Sequence, residues 1–189
     1  MKSKAAVLIL NYQNTGTYAP QWSSLPNILW LKILKGFIYE GCDSFGLRNV
    51  SSKDDLRDFF IFQIGGDVEY LQCVDYSPLS VPGSVTDPEN YTEKIALFAL
   101  DDYTKKAISF PCFGDWYCTS DYLPSDEISF FIEGQCFMTA VPYENMVWFW
   151  NLDNEIYQAL CKVDSSIPSN LKLASDLSKP YLFEAEVKN

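Results

Sequence analysis

The sequence predicts an α+β fold: an antiparallel, meander-like sheet packed against a long N-terminal helix, in a single domain over residues 1–189. Three observations carry that expectation. The strongest helical pattern comes early, over residues 25–41. From Phe59 onward, β-branched and aromatic runs alternate with turn formers. Strands and helices do not alternate strictly, as a doubly wound parallel sheet would require.

Composition supplies the material for a core. Hydrophobic residues make up 48% of the chain and aromatics 16%, too apolar for a disordered polar polymer. The six-residue apolar run 5–10 is shorter than the roughly 7–15 residues of a signal-peptide core, so it reads as a buried first strand over residues 5–12. No stretch reaches the roughly 18 uncharged apolar residues of a membrane span, and a cytoplasmic location is expected.

The helix follows from Ser23-Ser24-Leu25-Pro26, a cap with proline in the first turn, then Ile28, Leu29, Leu31, Ile33, Leu34, Phe37 and Ile38 before Gly41. Residues 51–57 read as a short capped helix, because serine and aspartate satisfy a helix N-terminus. Residues 59–64 and 68–74 flank Gly65-Gly66-Asp67 as a hairpin, and prolines 78, 82 and 88 mark a loop over 76–90.

Residues 95–100 and 107–110 form an expected antiparallel pair, with Asp101-Asp102 in its turn. Residues 128–132 and 135–141 pair across Glu133-Gly134. Residues 146–161 read as a hairpin through 151–154, with a helical turn over 155–162 as the alternative; 171–177 read as a short closing helix.

Charge is distributed unevenly. Residues 1–57 hold seven basic and four acidic side chains, residues 162–189 four of each, and residues 58–161 three basic against seventeen acidic, so the middle supplies the whole excess behind the net charge of −11. Between Ala107 and Cys161 there is no lysine or arginine at all. Such a segment repels phosphate, so neither nucleic acid nor anionic membrane is an expected partner. It attracts a cationic protein and speeds its association.

Several chemistries are excluded by residue type. With no histidine, the chain holds no Ser-His-Asp triad, no Cys-His pair and no histidine metal ligand. There is no phosphate-cradling glycine loop and no calcium-loop pattern. Six cysteines without a signal peptide read as reduced thiols, and the C-x5-C spacing of Cys112 and Cys118 is not that of a zinc knuckle. No cofactor or metal is expected.

The best binding candidate is the aromatic, acidic stretch Asp115, Trp116, Tyr117, Asp121, Tyr122, Asp126 and Glu127, where rings rimmed by carboxylates have the composition of interface anchors. This points to a non-catalytic protein that binds a basic partner, a toxin or a nuclease. Two alternatives compete: a small enzyme using Asp101, Asp102 or Cys112, and an assembly subunit with an aromatic oligomer face. The run Val7-Leu8-Ile9-Leu10-Asn11-Tyr12 resembles the first strand of family 2 glycosyltransferases, and Leu97-Phe98-Ala99-Leu100-Asp101-Asp102 their metal-binding strand, but no D-x-D motif accompanies them. Leu25-Pro26 before an apolar helix and Gly41, then strands and a terminal Leu173-Ala174-Ser175-Asp176-Leu177, resembles the SMI1/KNR4-type immunity proteins of bacterial toxin systems. That resemblance implies an acidic α+β inhibitor.

Overall fold

The computed structural model describes residues 4–9, 25–48, 68–76, 93–109, 127–141 and 146–173. Within them, eight strands form one sheet: β1 (Lys4–Ile9), β2 (Ser44–Leu47), β3 (Tyr70–Tyr76), β4 (Glu93–Ala99), β5 (Ile128–Ile132), β6 (Gln135–Val141), β7 (Met146–Leu152) and β8 (Leu171–Leu173). Their spatial order is β3-β4-β2-β5-β6-β7-β1-β8, and every neighbouring pair is antiparallel. Only β5-β6-β7 is a sequential meander. Strand β2 sits between β4 and β5, and β1 between β7 and β8, so the sheet is closed by long-range pairings.

The helical run from Leu25 to Gly41 has three parts: α1 (Leu25–Ile33), a π segment (Leu34–Ile38) and α2 (Tyr39–Gly41). In the π segment the Tyr39 amide donates to the Leu34 carbonyl five residues back, one residue more than an α-turn spans. This run lies across the middle of the sheet. The Trp30 ring is 6.4 Å from Phe130, and Phe37 is 5.8 Å from Phe137 and 6.5 Å from Phe149. Trp30, Phe45, Phe98, Phe130 and Phe149 are fully buried in this core. Each contributes about 1.5–3 kcal/mol relative to an exposed ring.

The strands alternate as a two-faced sheet requires. Ala96 and Phe98 of β4 enter the helix-covered core, whereas Ile95 and Leu97 join Phe131, Val74 and Cys136 in a second cluster. Gly46 of β2 belongs to this second face. A Cβ there would lie 2.8 Å from Ile95 Cδ1 and 3.1 Å from the Ala96 carbonyl, so the close approach of β2 and β4 needs glycine.

Two expected hairpins are replaced by strand-then-helix units. Residues 107–110 were expected to form a strand; instead α3 (Asp102–Ser109) follows β4 directly. Asp101 is its cap rather than a turn residue: its Oδ1 accepts the Thr104 amide at 2.8 Å, and the Thr104 hydroxyl donates to the Ala99 carbonyl at 2.9 Å. Thr104, Ala107 and Ile108 bury one stripe of the helix.

The hairpin expected through 151–154 gives way to the alternative, the helical turn over 155–162: α4 spans Asn154–Val163, with Asp153 Oδ1 accepting the Ile156 amide at 2.8 Å. Asn151, with φ of 56°, marks the extra residue where β7 bulges against β1. A short helix α5 (Ile167–Asn170) precedes β8, so residues 171–173 are strand rather than the start of a closing helix. The strand expected over 68–74 is β3, shifted to Tyr70–Tyr76, and its described partner is β4; Tyr76 of the loop expected over 76–90 belongs to this strand, and the rest of that loop, the expected strand 59–64 and the helix 51–57 lie outside the described residues. Among the described residues no helix is long and apolar enough to cross a membrane.

Candidate functional site

Of the seven predicted binding residues, Asp115, Trp116, Tyr117, Asp121, Tyr122 and Asp126 lie outside the described residues. Glu127 corrects the expectation. It is 1% exposed, and its Oε1 accepts from Arg48 Nη1 at 2.9 Å. The pair extends the β2–β5 ladder by one step, since the Arg48 amide donates to the Glu127 carbonyl. A carboxylate buried with its own counterion presents nothing to a partner.

Beyond this pair, the second sheet face carries a polar row. Ser129 and Thr139 hydroxyls are 2.9 Å apart across the β5–β6 pair, and the Trp150 indole N–H donates to Thr139 Oγ1 at 3.1 Å. Cys136 Sγ lies 3.5 Å from the same oxygen. Burial pushes the Cys136 thiol up to about 11, so it is protonated and a poor nucleophile at neutral pH. Trp148 stacks on Trp150 with ring centroids 5.7 Å apart, and at 1% exposure it belongs to the interior. These groups satisfy one another as a structural network.

The exposed acidic groups gather elsewhere, at one end of the sheet. There β3 begins, β4 ends, β2 begins and β5 turns into β6. A chain of bonds ties the end together: Ala99 amide to Glu69 carbonyl at 2.9 Å, Leu100 amide to Asp43 carbonyl at 2.9 Å, Asp43 amide to Phe131 carbonyl at 3.1 Å, and Glu133 amide to Asp43 Oδ2 at 2.6 Å. Glu69, Asp101, Asp43 and Glu133 are therefore brought together, and all four are exposed. Four strands span about 14 Å, three spacings of roughly 4.8 Å.

The Glu133-Gly134 turn folds further inward. A Cβ on Gly134 would meet Gln72 Nε2 of β3 at 3.2 Å, and the glycine φ of +78° is left-handed. Three large apolar side chains of the same strand ends are exposed: Tyr70 is 43% exposed, Leu71 44% and Ile132 36%. Among the described residues, none of the four carboxylates is in an ion pair. The neighbouring Cys42 thiol is raised to about 12, by burial first and then by the Asp43 carboxylate.

The sequence singles out aromatic rings among carboxylates over 115–127 and does not bring the residues of this sheet end together. Asp43 and Glu133 are 90 positions apart, and Glu69 directly precedes β3, which opens with Tyr70 and Leu71. The one local signal was Glu133-Gly134, which was read only as a turn.

Among the described residues no group of histidine, cysteine, aspartate or glutamate side chains is arranged to hold a metal ion. Comparisons with protein-family models, with curated proteins and with solved structures found no match.

Proposed function

We propose that the chain is a non-catalytic binding protein that captures a basic protein, in the manner of an inhibitor of a cationic toxin or nuclease. The observation that carries this reading is the sheet end itself. Four exposed carboxylates, Asp43, Glu69, Asp101 and Glu133, lie at the end of the sheet that also carries the exposed side chains of Tyr70, Leu71 and Ile132. Apolar side chains supply the area that excludes water, and the acids of the same end steer a cationic surface into place and fix its orientation.

Three further described acids of the middle segment are engaged within the fold, while Asp102 and Glu155 stay exposed on the first turns of their helices. Glu127 is buried with Arg48, Asp153 caps α4, and Asp75 lies 2.6 Å from Lys94 Nζ. Glu127 and Asp75 are each matched by a cation, whereas Asp153, like Asp101, caps a helix through one carboxylate oxygen and keeps its charge.

The test is affinity capture at low ionic strength from the cells that make the protein, comparing the native chain with the Glu69→Lys/Glu133→Lys double variant. Both residues are exposed, so the variant keeps the fold. Basic proteins retained by the native chain are expected to be lost from the variant and to elute from the native chain as salt is raised. A partner that stays on the charge-reversed chain shows that the sheet end is not where it binds.

A further inference from the structure

Three lysines line an apolar groove on the helical side of this acidic protein. The groove, about 630 Å³, is open to solvent and runs between α1 with its π segment and α4. Its floor is Ile28, Leu31, Ala159 and Val163, and its rim carries Lys32, Lys35 and Lys162. Lys32 is held by Asp164, Nζ to Oδ2 at 2.6 Å. Lys35 and Lys162 are exposed, and among the described residues neither is in an ion pair. From Lys35 the strip continues to Lys105 and Lys106 of α3, which line an adjoining depression together with the exposed Asp102.

The geometry points to a docking site for an acidic amphipathic helix of a partner protein. Charge complementarity decides the sign of the occupant: at physiological ionic strength fields fade within roughly 8 Å, so the local lysines outweigh the distant net charge. The apolar floor decides its form. A helix lays one apolar stripe in an open groove and keeps the rest in water, its carboxylates reaching the rim lysines. A hydrocarbon chain in the same open groove would leave much of its surface wet, and a nucleic acid would make no use of the floor. Gly36 gives the helix room. It is exposed at the groove wall, and a Cβ there would meet only Val163, at 3.7 Å. None of these residues belongs to the acidic sheet end, so the two surfaces stand or fall separately.

The experiment uses the full chain and a fluorescein-labelled peptide of about four helical turns, with leucines at i, i+4, i+7 and i+11 and glutamates on the flanks. Anisotropy is expected to show binding that weakens with salt. Affinity is expected to fall about tenfold or more in Lys35→Glu/Lys162→Glu and in Gly36→Leu, which fills the groove. Far-UV circular dichroism confirms the fold of each variant, and the exposed lysine pair keeps the test valid if Gly36→Leu fails to fold.

Four results would overturn the proposal: no binding of the acidic peptide by the native chain; equal binding by the charge-reversed variant; equal binding of a peptide with lysine in place of glutamate; or capture of oleate, lost in the same variants, where the peptide does not bind. Self-association by sedimentation, abolished by the same substitutions without peptide binding, would assign the groove to a second copy and equally overturn it.

Discussion

The Arg48 guanidinium lies 2.9 Å from the Glu127 carboxylate at the last step of the β2–β5 ladder, 79 residues apart in sequence, with Glu127 1% exposed. Removing Arg48 takes a counterion away from the buried Glu127 carboxylate, which costs up to about 3–5 kcal/mol. Arg48→Met is therefore expected to lower stability to urea by up to that amount, and Arg48→Met/Glu127→Leu to recover a good part of it. Chemical denaturation of the two singles and the double closes the cycle; a double variant no more stable than the sum of its parts would mean that the pair is not coupled.

Glu133 sits at φ of 50° in the β5–β6 turn, a conformation that asparagine tolerates better than glutamate. Glu133→Asn is expected to raise the unfolding free energy by a few tenths to about 1 kcal/mol. It also removes one carboxylate of the sheet end, so the same variant is expected to bind a basic partner more weakly. Thermal melts and capture experiments on one protein measure the trade; a gain in both would separate this residue from binding.

Asp164 is held down to about 2, first by the hydrogen bond from Lys32 and then by the backbone and hydroxyl of Ser166. A depressed carboxylate contributes stability that is complete above its unfolded value of roughly 3.9 and is lost as pH falls through its folded value. The contribution of this group is thus expected to disappear between about pH 4 and pH 2, modestly, because water reaches the pair. Lys32→Met should shift the Asp164 titration upward, as followed by NMR of the side-chain carboxyl carbon, and flatten that part of the stability profile.

Cys73 is exposed, whereas burial raises Cys42 to about 12 and Cys136 to about 11. Iodoacetamide at pH 8 is expected to modify Cys73 and to spare the other two, as read by peptide mass mapping. Labelling of Cys136 in the native protein would show that its Ser129–Thr139 environment opens in solution.

How far the sequence could be read follows from what each signal can distinguish. The helix from Leu25, strand β1 and the β5–β6 hairpin rest on local patterns, and each was legible. The α3 and α4 starts were not, because aspartate serves hairpin turns and helix caps alike. In Asp101–Ser109 the deciding evidence is the spacing of Thr104, Ala107 and Ile108, a helical stripe too short to outweigh the turn signal. The insertion of β2 between β4 and β5 has no local signature at all, and it sets both the Arg48–Glu127 pair and the acidic end. The charge excess of the middle segment was visible, but its sorting into buried, capping and exposed groups depends on contacts made across the fold.

The π segment gives the first helix a change of phase. Each residue of an α-helix turns its side chain by about 100°, so one extra residue in a single turn rotates everything beyond it by roughly that angle. Before the slip, α1 lies along α4; after it, Tyr39 reaches α3, its hydroxyl 2.8 Å from Ser109 Oγ and donating to the Lys105 carbonyl at 2.9 Å. A uniform helix would have to choose between those neighbours. The inserted residue works like a coupling between two shafts out of line, letting one rod serve both helices while Leu34 and Ile38 stay buried on the sheet.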